Sequence, residues 1–174
     1  MRLLNKTNLF SYFLCILLLS GCNYKLRDSY QGLNNKIVTI SYENDPLNLS
    51  FINTLQKQGG TKKLYLNEIG EDSDLSMQIL EHEVTRYSAA LGTGARTKEA
   101  RMGYVLIISF TLKGKKEEIV LEIKDSSYYS FDESRILAIE EVEKRLKENF
   151  FTNAINRINF SFVNLLNESI RHKF

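Results

Sequence analysis

Apolar side chains recur along this chain with periods that change from segment to segment. Lys36 to Tyr42 (KIVTISY) alternates Ile37, Thr39 and Ser41 against Val38, Ile40 and Tyr42, which predicts a short strand. Asp45-Pro46 then offers a side-chain N-cap and a preset first helical residue. Leu47, Phe51 and Leu55 follow at spacings of four with Ile52 beside them, and Gly59-Gly60 stops the run. The expected element is an amphipathic helix of about three turns. Thr61 to Asp74 is polar, with Leu64 and Leu66 as a brief extended piece. Leu75, Met77 and Ile79 alternate with polar neighbours and predict a strand running to about Tyr87. Arg101 to Leu112 is the clearest strand: Tyr104, Leu106, Ile108, Phe110 and Leu112 share one face, and Val105, Ile107, Ser109 and Thr111 the other. Lys113 to Lys116 turns it into Glu117 to Tyr129, where Ile119, Leu121 and Ile123 share a face.

Ser130-Phe131-Asp132-Glu133 has the form of a capping box, so a helix should start there. Glu140–Lys144, Glu141–Arg145 and Glu143–Lys147 stand at i,i+4 and support it. Ile139, Val142, Leu146 and Phe150 form its apolar stripe, which Ala154, Ile158, Phe162 and Leu165 continue on a shifted face. A bend or break near Asn149 to Asn153 would reconcile the two phases. The order strand, helix, three strands, helix predicts an α+β fold: a small mixed sheet of about four strands with two helices packed on it. The first two strands should be parallel through a crossover and the last three an antiparallel meander. One pole then collects the turn before Pro46, the loop Ser88 to Ala100 and the start of the last helix. The lipidated end and the Lys113–Lys116 turn fall at the other.

The first residues follow another pattern. Arg2 and Lys6 form a positive n-region, and Leu9 to Leu19 an apolar run interrupted only by Ser11 and Tyr12. That order marks an export signal. The run is short of the roughly 20 residues a bilayer-spanning helix needs. It ends in Leu19-Ser20-Gly21-Cys22, a branched apolar residue, two small ones and a cysteine, which resembles a bacterial lipobox. Residues 1–21 are then a cleaved signal peptide, and 22–174 a single domain tethered through acylated Cys22, the thiol carrying diacylglycerol and the new N-terminus a palmitate-like chain. The alternatives are a signal peptide with an incidental cysteine, or an uncleaved anchor. A triacylated cysteine is a stable tether where one chain is not. Cys15 leaves with the signal, so the mature chain has no disulfide and no thiol nucleophile. Asn23 resembles an outer-membrane destination, since Asp in that place is the enteric inner-membrane retention signal.

Charge sharpens the picture once the signal is set aside. From Cys22 onward the 174-residue chain carries 21 basic and 21 acidic side chains, a formal zero. Wholesale electrostatic binding of nucleic acid needs clustered positive charge and gains no support, so no nucleic-acid partner is expected. No catalytic set emerges. His82 and His172 are the only histidines, and the segment Glu81-His82-Glu83 alternates across a strand, which predicts an exposed His82 rather than a metal site. Gly92-Thr93-Gly94 lacks the Lys-Ser/Thr of a P-loop. No G-x-S-x-G elbow occurs. We therefore expect no enzyme, no metal and no cofactor. Around the loop Ser88 to Ala100 stand Arg86, Arg96, Lys98 and Arg101 against Glu99 alone. Guanidinium and ammonium groups suit phosphates, Arg through a bidentate fork. Two readings remain open there, a solvated hairpin tip and an anion contact.

With lipobox, strand order and loop in place, the chain resembles the LPS-assembly lipoproteins of the LptE (RlpB) family. The resemblance rests on Gly21-Cys22-Asn23-Tyr24-Lys25-Leu26-Arg27-Asp28 (GCNYKLRD), on the Pro-started helix after a short strand, on Met102-Gly103-Tyr104-Val105-Leu106 after a basic loop, and on Ser130-Phe131-Asp132 followed by Leu137-Ala138. It spans nearly all of the mature chain through short motifs. It implies a non-enzymatic role: plugging and helping to assemble the LptD barrel of the outer membrane, which delivers lipopolysaccharide to the outer leaflet. It also implies lipopolysaccharide contact at Arg96, Arg101 and Lys98. Where some members place a lysine at the start of the last helix, this chain has Glu140, a departure from the family's lipid-binding pattern. The alternative is a periplasm-facing envelope lipoprotein that binds another envelope protein. A lipoprotein hydrolase is disfavoured by the missing catalytic set.

Overall fold

The computed structural model describes residues 32–68, 70, 72–91 and 97–171, the side chains of 97 and 168–171 excepted. The lipobox with Cys22, the segment GCNYKLRD, the Gly92–Gly94 tip, Arg96 and His172 lie outside the described residues.

Strand β1 (Ile37–Ser41) leads into helix α1 (Pro46–Gln58), then β2 (Lys63–Leu66), β3 (Leu75–Leu91), β4 (Thr97–Leu112) and β5 (Glu118–Ser130). A single 3-10 turn (Glu133–Arg135) precedes helix α2 (Ile136–Arg171). The sheet has five strands in the order β2-β1-β3-β4-β5, where about four were expected. The added strand is the Leu64–Leu66 piece, four residues pairing parallel with β1 at one edge. Its polar flanks hide it in the sequence. The expected crossover and meander are present: β1 pairs β3 in parallel, and β3, β4 and β5 pair antiparallel.

Asp45 caps α1, accepting from the Leu47 and Asn48 amides at 2.8 and 2.9 Å, and Pro46 fills the first turn where no amide is missed. The capping box at α2 is corrected. Ser130 stays in β5, and Asp132 is the cap, its carboxylate taking the Ser134 amide at 3.0 Å. Of the three Glu-to-base pairs only Glu141–Arg145 forms, at 4.0 Å. The break near Asn149–Asn153 is also corrected, since α2 is one continuous helix. Its buried positions drift from Ile139 through Phe150 and Phe151 to Ile155, Ile158 and Phe162. Glu143 meets Arg86 and Tyr129 near the strand ends and Phe151 meets Phe51 of α1, so the buried face changes along one continuous helix laid over a twisted sheet.

The core lies on one side of the sheet. Val38, Ile40, Met77, Tyr104, Leu106, Ile108 and Phe110 meet Phe51, Ile52 and Leu55 of α1 and Phe150, Phe151, Ile158 and Phe162 of α2. The other side carries Glu81, Glu83, Arg101, Glu122 and Lys124, all exposed, as an antiparallel sheet allows. At Leu80 the register with β4 slips by one residue, a β-bulge with Leu80 half exposed. A one-residue insertion reverses which side chains face inward. Leu75, Met77 and Ile79 point to the helices, and beyond the bulge His82, Val84 and Arg86 do, opposite Leu106, Tyr104 and Met102. The expectation of an exposed His82 is thereby overturned.

Candidate functional site

Beyond the row Ser88–Ala100–Tyr129, where Ala100 and Tyr129 are still buried, the β3–β4 hairpin passes the end of the core. This is the pole at which α2 also begins. Of the basic residues singled out there, the three that are described, Arg86, Lys98 and Arg101, do not form one patch. Arg86 points to the helix side. Its Nη1 lies 3.2 Å from the Glu143 carboxylate of α2, and its guanidinium stacks 5.7 Å from the Phe131 ring centroid. Tyr129 of β5 donates its hydroxyl to the same Glu143 carboxylate. That bond and burial push the Tyr129 phenol up to about 12, burial being the larger cause, and the Glu143 contact holds the Arg86 guanidinium above its usual range. Arg86 is thus spent on joining β3, β5 and α2, with Glu143 as the counter-charge missing from the sequence count.

Arg101 sits on the open side. The register places Tyr87, Arg101 and Tyr128 in one row across three strands. The guanidinium stacks on Tyr128 at 5.7 Å and donates to the Ser126 hydroxyl at 3.2 Å. Tyr87 and Tyr128 are 56% and 59% exposed, so both rings remain available to a further partner. Gly103, one row below, leaves the backbone bare beside the Tyr87 ring, whose Cε2 lies 3.6 Å from where a Cβ would stand. Arg101 has no ion pair among the described residues. Lys98 is exposed, and alternation along β4 turns it to the helix side with Ala100, away from Arg101. Its carbonyl takes the Phe131 amide at 2.9 Å, which closes the end of the β4–β5 ladder. Arg101 and Lys98 are therefore brought to one pole but to opposite faces. The tyrosines beside Arg101 went unnoticed in the sequence because only the cross-strand register aligns them.

A second polar group lies deeper. His82 Nδ1 is 2.7 Å from Asn48 Oδ1, and Asn48 donates to the Glu43 carbonyl and the Asp45 carboxylate. Phe51, Tyr104 and Phe151 surround the imidazole with ring centroids at 5.4, 5.4 and 5.7 Å. Burial lowers its pKa to about 4 against a smaller opposing pull from Asp45. Burial likewise raises the Tyr104 phenol above its usual range. This cluster reads as a tie between α1 and β3. Among the described residues no three His, Cys, Asp or Glu side chains converge as a metal would require, and no helix is long and apolar enough to cross a membrane.

At the level of sequence neither a family model nor a curated protein matches the chain. Solved structures do. The chain is similar to the rare lipoprotein B of Shewanella oneidensis at 16% identity and a TM-score of 0.57, over 79% of this chain and 99% of that one. A lipoprotein B of Nitrosomonas europaea matches at 19% identity and a TM-score of 0.58, over 78% and 86%. A minor lipoprotein of Acinetobacter baumannii matches at 16% identity and a TM-score of 0.51, over 75% and 92%. At these identities the shared property is the fold, and two of the three carry the lipoprotein B name that the sequence motifs resemble.

Proposed function

We propose that the chain is an LPS-assembly lipoprotein of the LptE (RlpB) family: an outer-membrane lipoprotein, tethered through Cys22, that plugs and helps to assemble the LptD barrel through which lipopolysaccharide reaches the outer leaflet. The observation that carries this is the fold held in common with the Shewanella lipoprotein B over 99% of that chain. The Leu19-Ser20-Gly21-Cys22 sequence adds the anchor, and the formal zero charge of the mature chain suits a domain lodged in a polar lumen. The role is one of occupancy and contact, with no catalytic step. Full-length chain carrying a C-terminal tag, extracted from the envelope in mild detergent, is expected to bring down a large β-barrel protein of the outer membrane. Recovery as a monomer, or with a periplasmic partner alone, would remove the plug role.

Within this reading Arg101 is the lipopolysaccharide contact, its fork offered to a phosphate beside two tyrosine rings, with Lys98 of the same pole and Arg96 as supporting charges. Charge-assisted hydrogen bonds of a guanidinium to phosphate are strong enough that Arg101→Glu should weaken lipopolysaccharide binding about tenfold or more. Lys98→Glu, on the other face, should weaken it less. Far-UV circular dichroism should be unchanged in both, because each side chain is exposed. Equal binding by Arg101→Glu and the unaltered chain would leave Arg101 as a sheet-surface residue only.

A further inference from the structure

Strand β5 is an edge of the sheet, paired with β4 on one side only. The Phe131 amide donates inward to the Lys98 carbonyl, so odd-numbered residues of this segment face β4 and even-numbered ones turn their N–H and C=O outward. Two contacts at the centre agree with that phase. Arg157 of α2 donates to the Lys124 carbonyl at 3.3 Å, and the Ser126 amide donates to the Asp125 carboxylate at 2.8 Å. Asp125 in turn accepts from Asn153 of α2 at 3.0 Å. The middle of the edge is thus plugged by the protein's own groups, a common protection against unwanted pairing.

The stretch Glu118–Glu122 is not protected in this way. Its outward positions are Glu118, Val120 and Glu122, and beside it on the helix side lies an open groove of about 360 Å³ lined by Leu121, Glu122, Asn156, Arg157, Phe160 and Ser161. Phe160 and Val120 are each 58% exposed, unusual for large apolar groups, and they flank the strand on its two faces. Glu118 has no ion pair among the described residues, and Glu117 next to it is exposed as well. Glu122 is paired with exposed Lys124 at 2.5 Å, so Glu118 is the carboxylate open to a basic side chain and Glu122 would have to share.

We propose that Glu118–Glu122 is a strand-addition site for an extended segment of a partner protein in which basic and apolar residues alternate. Main-chain hydrogen bonds to Val120 and Glu122 would supply the pairing. Side chains of an added strand alternate between faces as those of β5 do. Residues on the open side then meet Glu118 and Glu122, which favours Lys or Arg. Those on the helix side reach the groove and cover Leu121 and Phe160, which favours Val, Ile or Leu. The plug at Lys124 and Ser126 limits the added strand to about five residues and sets its end. This site is separate from Arg101 and does not depend on the lipopolysaccharide reading.

The test uses the full-length chain in detergent and a blocked peptide, acetyl-Lys-Val-Lys-Ile-Lys-amide, with hydrogen–deuterium exchange as the readout. Saturating peptide should slow exchange of the Val120 and Glu122 amides about tenfold, as new hydrogen bonds would. Exchange in Lys63–Leu66, the opposite edge, should be unaltered. The same peptide with every amide N-methylated keeps its charge and side chains but loses its donors. Its methyl groups stand between the strands and hold its carbonyls away from the edge, so it should give no protection. Phe160→Ser, at an exposed position, should weaken the peptide several-fold with the fold intact. Equal protection by the N-methylated peptide would mean charge contact without strand addition and overturn the proposal. Protection confined to β2, or none anywhere, overturns it too.

Discussion

Replacing Phe151 by alanine is expected to lower the unfolding free energy by about 3–5 kcal/mol, the range for removing a buried aromatic ring. Phe151 is 2% exposed, and its ring meets α1, β3 and β4 together. Its centroid lies 5.7 Å from Phe51, 5.7 Å from His82 and 6.0 Å from Tyr104. The Phe51 pair is edge-to-face at 79°, a geometry worth about 0.5–1.5 kcal/mol beyond area burial. Alanine would leave a void bounded by three elements, none of which can close it without dragging its strand or helix. Domains of this size hold only about 5–15 kcal/mol in total, so the variant should stand at the margin of folding. Phe160→Ala serves as the control on the same helix: at 58% exposure it should cost less than about 1 kcal/mol. Urea midpoints of the two variants decide the matter. A loss below about 1.5 kcal/mol for Phe151→Ala would show that α2 is not the keystone of this core.

What could be read in the sequence is what depends on period within one segment. The β4 alternation from Tyr104 to Leu112 is buried on the expected face, and α1 begins and ends at Asp45-Pro46 and Gly59-Gly60. What escaped depends on one-residue offsets and on pairing between segments. Leu80 carries no mark of a bulge, yet it turns His82 inward and Glu81 outward. The sequence pairs Glu143 with Lys147 at helical spacing, but in space Arg86 and Tyr129 take it, 57 and 14 residues away. An i,i+4 pair in water is worth a few tenths of a kcal/mol, so a buried phenol that donates to Glu143, with the exposed Arg86 beside it, displaces it readily. The basic loop failed for the same reason. The three described charges of that group divide between two faces of a hairpin, and Arg86 is already neutralised by Glu143.

The candidate site shows the same limit from the other side. Arg101 was legible as a cation near a loop. That two tyrosines bracket it follows from register alone, since Tyr87 is 14 residues before it and Tyr128 is 27 after it. Cross-strand rows of this kind are stabilising in themselves, and their exposure is what makes them more than that. The anchor expected at Cys22 and the contact expected at Arg96 both lie outside the described residues.

Acid should unfold this protein earlier than its carboxylates alone would, because of His82. The imidazole is held in a ring of Phe51, Tyr104 and Phe151, and its Nε2 is buried with no hydrogen-bond partner among the described residues. A proton on Nε2 would put a charge where nothing accepts from it, and burial accordingly lowers the pKa from 6.5 to about 4. The sign follows from proton counts. Above pH 6.5 neither the folded nor the unfolded chain holds the extra proton, and the full stability is present. Between 6.5 and about 4 the unfolded chain takes a proton that the folded chain refuses, so stability falls as pH falls. Below about 4 the folded state is protonated too and the loss levels off. The drop has an upper bound of about 3.5 kcal/mol, because each tenfold loss of proton affinity on folding is worth about 1.4 kcal/mol. Carboxylates titrate in part of the same window, so the readout is a difference. Urea unfolding of the unaltered chain and of His82→Phe is compared at pH 7, 6, 5 and 4. Phenylalanine suits the aromatic surroundings and strands the Asn48 carbonyl, a cost that does not vary with pH. From pH 7 to 4 the unaltered chain should lose about 2–3 kcal/mol more than the variant, with most of the divergence between pH 6 and 4.5. Parallel curves would mean that the imidazole finds water or a carboxylate on protonation, and that its burial is not what sets the acid limit of the fold.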